Sequence, residues 1–518
     1  MADVIDDDKI YFSITDMSSG QYSSPHPTDK ILMPVNSGAE MLNIDIDEMG
    51  KRRKRKGYTI VGDDSGSVAI AGKVGYSPVS KSKTLLREVD GVVESWDGTS
   101  GTWDDSKTGL TAATYTELVV AKGLVFRLGQ TDNIWSFDGT DWTDEGDTSA
   151  DPPKGKLGIW TSNQRFLVFN TAANPNFGYM SDAGDPQTFG DAPFAFGDGE
   201  DSGVTGAVEF TDGEVAVLTD KSLYTWNISN TTSANWTVKK VADVGCVAQR
   251  TVKQIGTDVL FLSSDGVRSI FQSAQDKKRG DSLPLTFPIK DWVARINWAF
   301  ADKAIAWVWN DLYHLAVPID NSEFNNYTFV FSRRAFEVNG GKGGWTIYEG
   351  VNINAFATQS FGGTRRLYIG EASADSKSYF FRSDDVSSEP TSDNGVAITF
   401  SEEGKRIEFE SPSLNKLFNK AEFQLEVQAA GTINVEAQVD GEGYTTIGTI
   451  DQTVGVPTLE IDLPFNLVGT KKVKKTFFLE KLGRGRNIQF RLTESTIDAD
   501  VTILNYSISA YVDAVEFE

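Results

Sequence analysis

Six consecutive cations, Lys51, Arg52, Arg53, Lys54, Arg55 and Lys56, are the densest charge cluster in this 518-residue sequence. Six like charges in six positions repel one another unless carboxylates or phosphates lie beside them, so the run demands an anionic partner. The chain itself is acidic, with 49 Lys and Arg against 73 Asp and Glu and a formal net charge of −24. Such a balance repels duplex DNA over most of the surface and argues against a sequence-reading DNA-binder, because phosphate contacts need cations opposite them. An acidic surface on a second copy of the chain is the nearest anion available, which makes Lys51 to Lys56 candidate intersubunit contacts. Nuclear localisation has only the run itself to support it. Two smaller clusters, Lys277-Lys278-Arg279 and Lys471-Lys472 with Lys474-Lys475, read as solvated faces.

Groups for bond-making chemistry are sparse. His26 lies between Pro25 and Pro27, and His314 alternates with apolar residues in a strand pattern. Neither belongs to an H-E-x-x-H pair, and no G-x-S-x-G elbow, Walker A loop or G-x-G-x-x-G turn stands in a strand-to-helix context. Paired carboxylates serve glycosidases, and Ser95-Trp-Asp-Gly98 with Trp103 and Ser136-Phe-Asp-Gly139 with Trp142 loosely resemble the Asp box of sialidase propellers. That box is a folding turn: Asp-Gly caps a hairpin and Trp packs between blades. The acidic loop Asp141–Asp147 lacks the ligand order of an EF-hand and reads as a solvated turn. Cys246 is the only cysteine, so an intrachain disulfide and a cysteine-based zinc cluster are excluded. The expectation is a non-enzyme with no catalytic, cofactor-binding or metal-binding residues.

The elements around these residues are strands. Leu42, Ile44 and Ile46 alternate with polar residues up to a turn at Met49-Gly50, and everything before reads as an extended arm rich in Asp, Ser, Pro and Gly. Such an arm either lies on another subunit or is an ordinary loose terminus. From 59 to 390, short Asn/Asp/Gly turns join apolar and aromatic strands, as at Asp90-Gly91, Asp220-Lys221, Asp265-Gly266 and Asn310-Asp311. Equivalent points fall at Asp97, Asp138, Asp182, Trp226, Ile270 and Leu315, a spacing of 41 to 45 residues. That is the length of a four-stranded propeller blade, and a row of β-sandwiches would not require so constant a period. After Val386–Asn394, read as a linker, strict alternation in Phe423–Val427, Ile433–Val439, Leu459–Leu463, Ile488–Leu492 and Tyr506–Val512 describes an antiparallel sandwich. The fold expected is all-β: an arm and entry strand over 1–58, a six- or seven-bladed β-propeller over 59–390, and a β-sandwich over 391–518. No stretch of about 18 apolar residues is present for a membrane-spanning helix, and Asp3, Asp6, Asp7 and Asp8 stand where a signal peptide needs basic and then apolar residues. A soluble product of a reducing compartment is expected.

Asn43-Ile-Asp-Ile-Asp47 followed by Gly50-Lys-Arg-Arg-Lys-Arg-Lys-Gly57-Tyr58 resembles the opening of many tailed-phage structural proteins. Lys481–Leu492 and Tyr506–Val512 resemble their final sandwich strands. The layout is similar to that of the tail nozzle, or packaged-DNA stabilisation, proteins of short-tailed bacteriophages. The resemblance implies a structural virion protein of the tail, made in the host bacterial cytoplasm and assembled as a ring, commonly a hexamer. It implies as partners the portal adaptor, other tail proteins, and packaged DNA that passes without sequence-specific binding. The alternative is a carbohydrate-active propeller, glycosidase or lectin, with the sandwich as accessory module. On this reading, replacing Arg52, Arg53 and Arg55 with Ser impairs ring formation, seen by electron microscopy, more than folding of the isolated chain.

Overall fold

The computed structural model describes residues 9–23, 34, 36–47, 50–62, 68–197, 203–273, 283–373, 375–409, 413–453 and 472–512. His26, Met49, the Lys277-Lys278-Arg279 cluster, Lys471 and the expected strand Leu459–Leu463 lie outside these residues. The chain forms two compact units: Met1–Gly57 with Val330–Glu349 and Pro390–Glu518, and Tyr58–Phe329 with Gly350–Glu389.

The second unit is a β-propeller. Six small antiparallel sheets are its blades, the first built from Gly72–Tyr76, Thr84–Val89, Val92–Trp96 and Asp104–Lys107. The second blade runs Glu117–Ala121, Leu124–Leu128, Trp135–Phe137 and Trp142–Asp144. The third and fourth have four strands each, and the fifth has three. The hairpin Ile305–Trp309 and Leu312–Val317 stands in the circle between the fifth sheet and the last, so seven innermost strands close the ring. The last blade holds Ile353–Phe361, Thr364–Glu371 and Ser378–Ser383, and its outer strand is Thr59–Ile60 from the start of the unit. The two ends of the propeller therefore share one sheet.

The hairpins follow from their turns. Asp90-Gly91 and Asn310-Asp311 both adopt positive φ at two successive residues, the geometry of the tight turns that match strand twist. Asp97 accepts the amides of Thr99 and Ser100 at 2.8 and 2.7 Å, and Asp138 those of Thr140 and Asp141 at 2.7 and 3.0 Å. Those backbone donors hold both carboxyls down at about 2. Trp96 stacks on Trp103 and meets Tyr368 and Phe361 of the last blade edge-on. Burying an aromatic of this size contributes about 2–3 kcal/mol.

The first unit is a two-sheet sandwich. One sheet orders Ile44–Ile46, Arg52–Lys54, Thr502–Val512, Lys416–Glu426 and Lys472–Phe478. The other orders Trp345–Glu349, Gly38–Leu42, Phe400–Gly404, Ile488–Glu494, Thr432–Val439 and Thr445–Asp451. Phe418, Phe423, Ile433, Phe490, Ile503 and Tyr506 form the centre of the core between them.

Three expectations change here. Within the N-terminal segment Lys9–Ile14 is not free of the fold, because it pairs along the C-terminal strand from Lys9↔Tyr511 to Ile14↔Tyr506. Its partner is its own chain. Val330–Glu349, placed by sequence in the propeller, belongs to the sandwich unit. The alternating strand through Leu42, Ile44 and Ile46 breaks at Asn43, which adopts φ 58° and passes the chain from one sheet to the other. Asn tolerates that conformation, and its amide nitrogen donates to Thr399 O at 2.7 Å.

Candidate functional site

The basic run is a short strand in the sandwich. Arg52–Lys54 lies between Ile44–Ile46, with Ile46↔Arg52 and Ile44↔Lys54, and the C-terminal strand, with Arg53↔Thr502 and Arg52↔Ile503. Side chains alternate along a strand, so Arg52 and Lys54 turn inward while Arg53 faces out, its side chain 43% exposed. Each of the six cations meets a carboxylate of the same chain. Arg52 pairs with Glu402, and Lys54 with Glu494 at 2.7 Å. Arg55 grips Asp393 with both terminal nitrogens at 2.8 and 2.6 Å. Lys51 reaches Glu426 at 2.6 Å, Arg53 reaches Asp47 at 3.1 Å, and Lys56 reaches Asp500 at 2.6 Å.

The inner cations are satisfied beyond their ion pairs. Arg52 also donates to Met17 O and Asn36 O at 3.0 and 2.6 Å. Arg55 also donates to Asn43 Oδ1 and Glu349 O, both at 2.8 Å, and lies over the Tyr348 ring. Such pairs persist in a core only when the remaining donors are used. The motive for an outside partner at Lys51, Arg52, Arg53, Lys54, Arg55 and Lys56 is thereby met inside the chain. The segment 386–394, read as a linker, supplies one of the acids.

Sequence reading missed the carboxylates, which lie hundreds of residues from the cations. A signal was present. Phe400, Glu402 and Gly404 share the buried parity of their strand, as do Ile488, Phe490, Leu492 and Glu494 of theirs. An acid in phase with apolar residues requires a buried cation.

The propeller axis holds a second constellation. A cavity of about 200 Å³ is lined by innermost strands and by Glu117, Arg250, Lys253, Trp307 and Phe356. Another of about 270 Å³ is lined by Asp90, Thr114, Glu323, Asn325 and Asn354. Arg250 of the first cavity donates to Asn354 O at 2.5 Å and to Asn354 Oδ1 at 2.9 Å, and Asn354 lines the second. Burial pushes the Glu117 carboxyl up to about 7, against the pull of Lys253, the Gly158 amide and Arg250. Burial also draws Lys253 below the usual lysine range and Arg250 down to about 10. The result is a buried cluster of one carboxyl and two cations.

His314 is fully buried, and burial, with Arg382 nearby, holds it down at about 3. It stays neutral near pH 7 and cannot act as a general acid there. Cys246 is buried and raised to about 11, which leaves an unreactive thiol. Among the described residues, no group of three or more His, Cys, Asp or Glu side chains is placed to hold a metal ion. None of their helices is long and apolar enough to cross a membrane. In the acidic loop Asp141–Asp147, Asp144 caps the Gly146 amide at 3.0 Å and Asp147 pairs with Lys154 at 2.8 Å.

No protein-family model matches the chain, and no curated protein does. Solved structures similar to it include PorZ, an essential bacterial surface component of the type-IX secretion system of Porphyromonas gingivalis. That likeness has 13% identity and a TM-score of 0.37, and it covers 76% of this chain and 46% of that one. This chain thus spans about half the length of the PorZ chain. BamB from Moraxella catarrhalis is similar at 11% identity and a TM-score of 0.36, over 71% of this chain and 98% of that one. YCF48 from Cyanidioschyzon merolae is similar at 12% identity and a TM-score of 0.34, over 63% and 98%. Likenesses this distant carry no functional argument.

Two outcomes are expected. Arg52→Ser strands Glu402 without its cation and lowers the unfolding free energy of the isolated chain by about 3–5 kcal/mol, whereas Arg53→Ser changes it by less than about 1 kcal/mol. Urea denaturation of both variants checks this. Equal losses would contradict the burial argument, and the contrast replaces the expectation that these arginines serve assembly more than folding. Secondly, the Glu117 value in the fold lies above its ordinary 4.5, so a stability cost grows as pH rises from about 4.5 to about 7 and is constant above that. Glu117→Gln removes the cost, and its stability relative to wild type rises by roughly 2–4 kcal/mol between pH 5 and pH 8. A pH-independent difference would contradict it.

Proposed function

We propose that the chain is a structural virion protein of a short-tailed phage, a tail nozzle or packaged-DNA stabilisation protein. Six copies form a ring below the portal and its adaptor, hold packaged DNA back, and conduct it into the host during ejection. The protein is made in the host bacterial cytoplasm, works in the tail, and carries out no catalysis.

The observation that carries the reading is the part played by the segment on which the resemblance rests. Asn43 turns the corner between the sandwich sheets, Arg52–Lys54 is bound into one of them, and Thr59–Ile60 supplies the outer strand of the last propeller blade. The segment of the resemblance is thus built into the sandwich unit, and the propeller strand Thr59–Ile60 follows it directly in sequence. The cavities found at the axis of a single propeller, about 200 and 270 Å³, are far too small to hold a DNA duplex. A conduit for a duplex is then the space that several copies enclose. A net charge of −24 suits its walls, because DNA adheres through cations opposite phosphates.

Mass photometry of the purified chain, alone and with portal–adaptor complexes, tests this. The expected species is a ring at six times the 56.7 kDa of one chain. A chain that stays single in both conditions and cleaves or binds members of a glycan panel would overturn the reading in favour of the carbohydrate-active alternative.

A further inference from the structure

With the first basic cluster spent inside the fold, the cluster at Lys472, Lys474 and Lys475 remains on the surface. All three side chains are exposed, on the strand Lys472–Phe478. Among the described residues this is an edge strand, paired only with Lys416–Glu426. Residues opposite one another in an antiparallel pair share a face. Lys472, Lys474 and Phe478 therefore lie beside Glu426, Gln424 and Lys420. Lys420 faces Ser509, and Ser509 faces Tyr11. Lys9, opposite Tyr511, stands 5.6 and 5.4 Å from the Tyr11 and Tyr511 ring centres.

One sheet face thus carries Lys9, Lys420, Lys472 and Lys474 among three aromatic rings. Phe478 is 74% and Tyr11 70% exposed, so both rings are open to a partner. Of the acids beside these lysines, Glu422 is engaged with Lys474 and Glu426 with Lys51. The face is cationic on a chain whose net charge is −24.

The opposite pattern occurs on the propeller. The outer strands Asp104–Lys107 and Trp142–Asp144 of the first two blades are joined by Trp142 Nε1 donating to Ser106 Oγ at 2.8 Å. Asp104, Asp105, Asp141 and Asp144 project there exposed, and among the described residues none has an ion-pair partner. Four unpaired carboxylates on adjoining blade edges repel each other and match a lysine-bearing face.

We propose that a second copy of this chain seats the acidic edge of its first two blades on this cationic, aromatic sandwich face. The contact joins two different patches, so it runs head to tail, and such contacts generate rings when the rotation closes. The inference rests on the ring reading above and names the surfaces that would make the ring. Tyr11 and Phe478 supply apolar anchors, and the lysines steer and set the register.

Charge reversal tests it on the full chain. Lys472→Glu with Lys474→Glu is one variant, and Asp104→Lys with Asp105→Lys and Asp144→Lys is the other. Circular dichroism and thermal melting check that each folds; all five side chains are exposed. Mass photometry at low and high salt is expected to show association weakened at least roughly tenfold in each variant, and restored in a chain carrying both sets. If wild type forms rings and either variant forms them equally well, or the combined chain does not recover, the proposed contact is wrong and the ring reading stands. A wild-type chain that stays at 56.7 kDa even with portal–adaptor complexes overturns both.

Discussion

Three cations of one short segment are held out of water, and the sandwich is arranged to receive them. Arg52, Lys54 and Arg55 each keep about 1% of their side-chain surface exposed. Removing an ion from water costs several kcal/mol, and attraction to a buried partner offsets this only with good geometry. Glu402, Glu494 and Asp393 provide that geometry from three separate stretches of the C-terminal region. The net gain in stability from such pairs is small. Their effect is on register: a one-residue slip of the Arg52–Lys54 strand would turn Arg53 inward and leave Glu402 and Glu494 without cations. The pairs fix which alignment of the N-terminal strands is tolerated.

The propeller uses the same device between blades. Arg127 of the second blade is fully buried against Glu88 of the first at 2.7 Å, with Asp132 at 2.8 Å on its other side. Arg87 is likewise buried on Glu94 and lies 4.2 Å from the centre of the Trp103 ring. Apolar packing supplies the driving force in both units, and buried charge pairs select one arrangement among the many that packing alone would accept. Closure adds a topological constraint, because Thr59–Ile60 completes the last blade and ties the start of the propeller to its end. Two residues before that strand, Gly57 packs so closely on the Ser392 backbone that a Cβ would lie 2.0 Å from its carbonyl oxygen.

Local chemistry was legible from sequence, and long-range chemistry was not. The Asp-Gly and Asn-Asp turns, the 41–45-residue spacing and the alternating strands at 423–427, 433–439, 488–492 and 506–512 each reflect interactions within a few dozen residues, and strands stand at those places. Asn43 was read as one more strand position, because nothing in the periodicity separates a polar outward residue from a left-handed corner. Pro and Asp content predicts an extended arm and is silent about partners; within it Lys9–Ile14 is a strand on the chain's own C-terminal strand. The six cations were recognised as needing acids, but their acids stand far along the chain. Glu402 and Glu494 could have been suspected from their parity with Phe400 and Leu492. The axial set of Glu117, Arg250 and Lys253 left no trace at all, since it arises only when the ring of strands closes.

The central claim is that buried intrachain pairs, and not contacts with another subunit, hold the basic strand in place. A double-mutant cycle on Lys54 and Glu494, using Lys54→Met, Glu494→Met and the pair together in urea denaturation of the isolated chain, measures this directly. The account predicts that each single change costs about 3 kcal/mol or more and that the double change costs far less than their sum, a coupling of at least roughly 2 kcal/mol. Additive losses, with a coupling below about 0.5 kcal/mol, would contradict it.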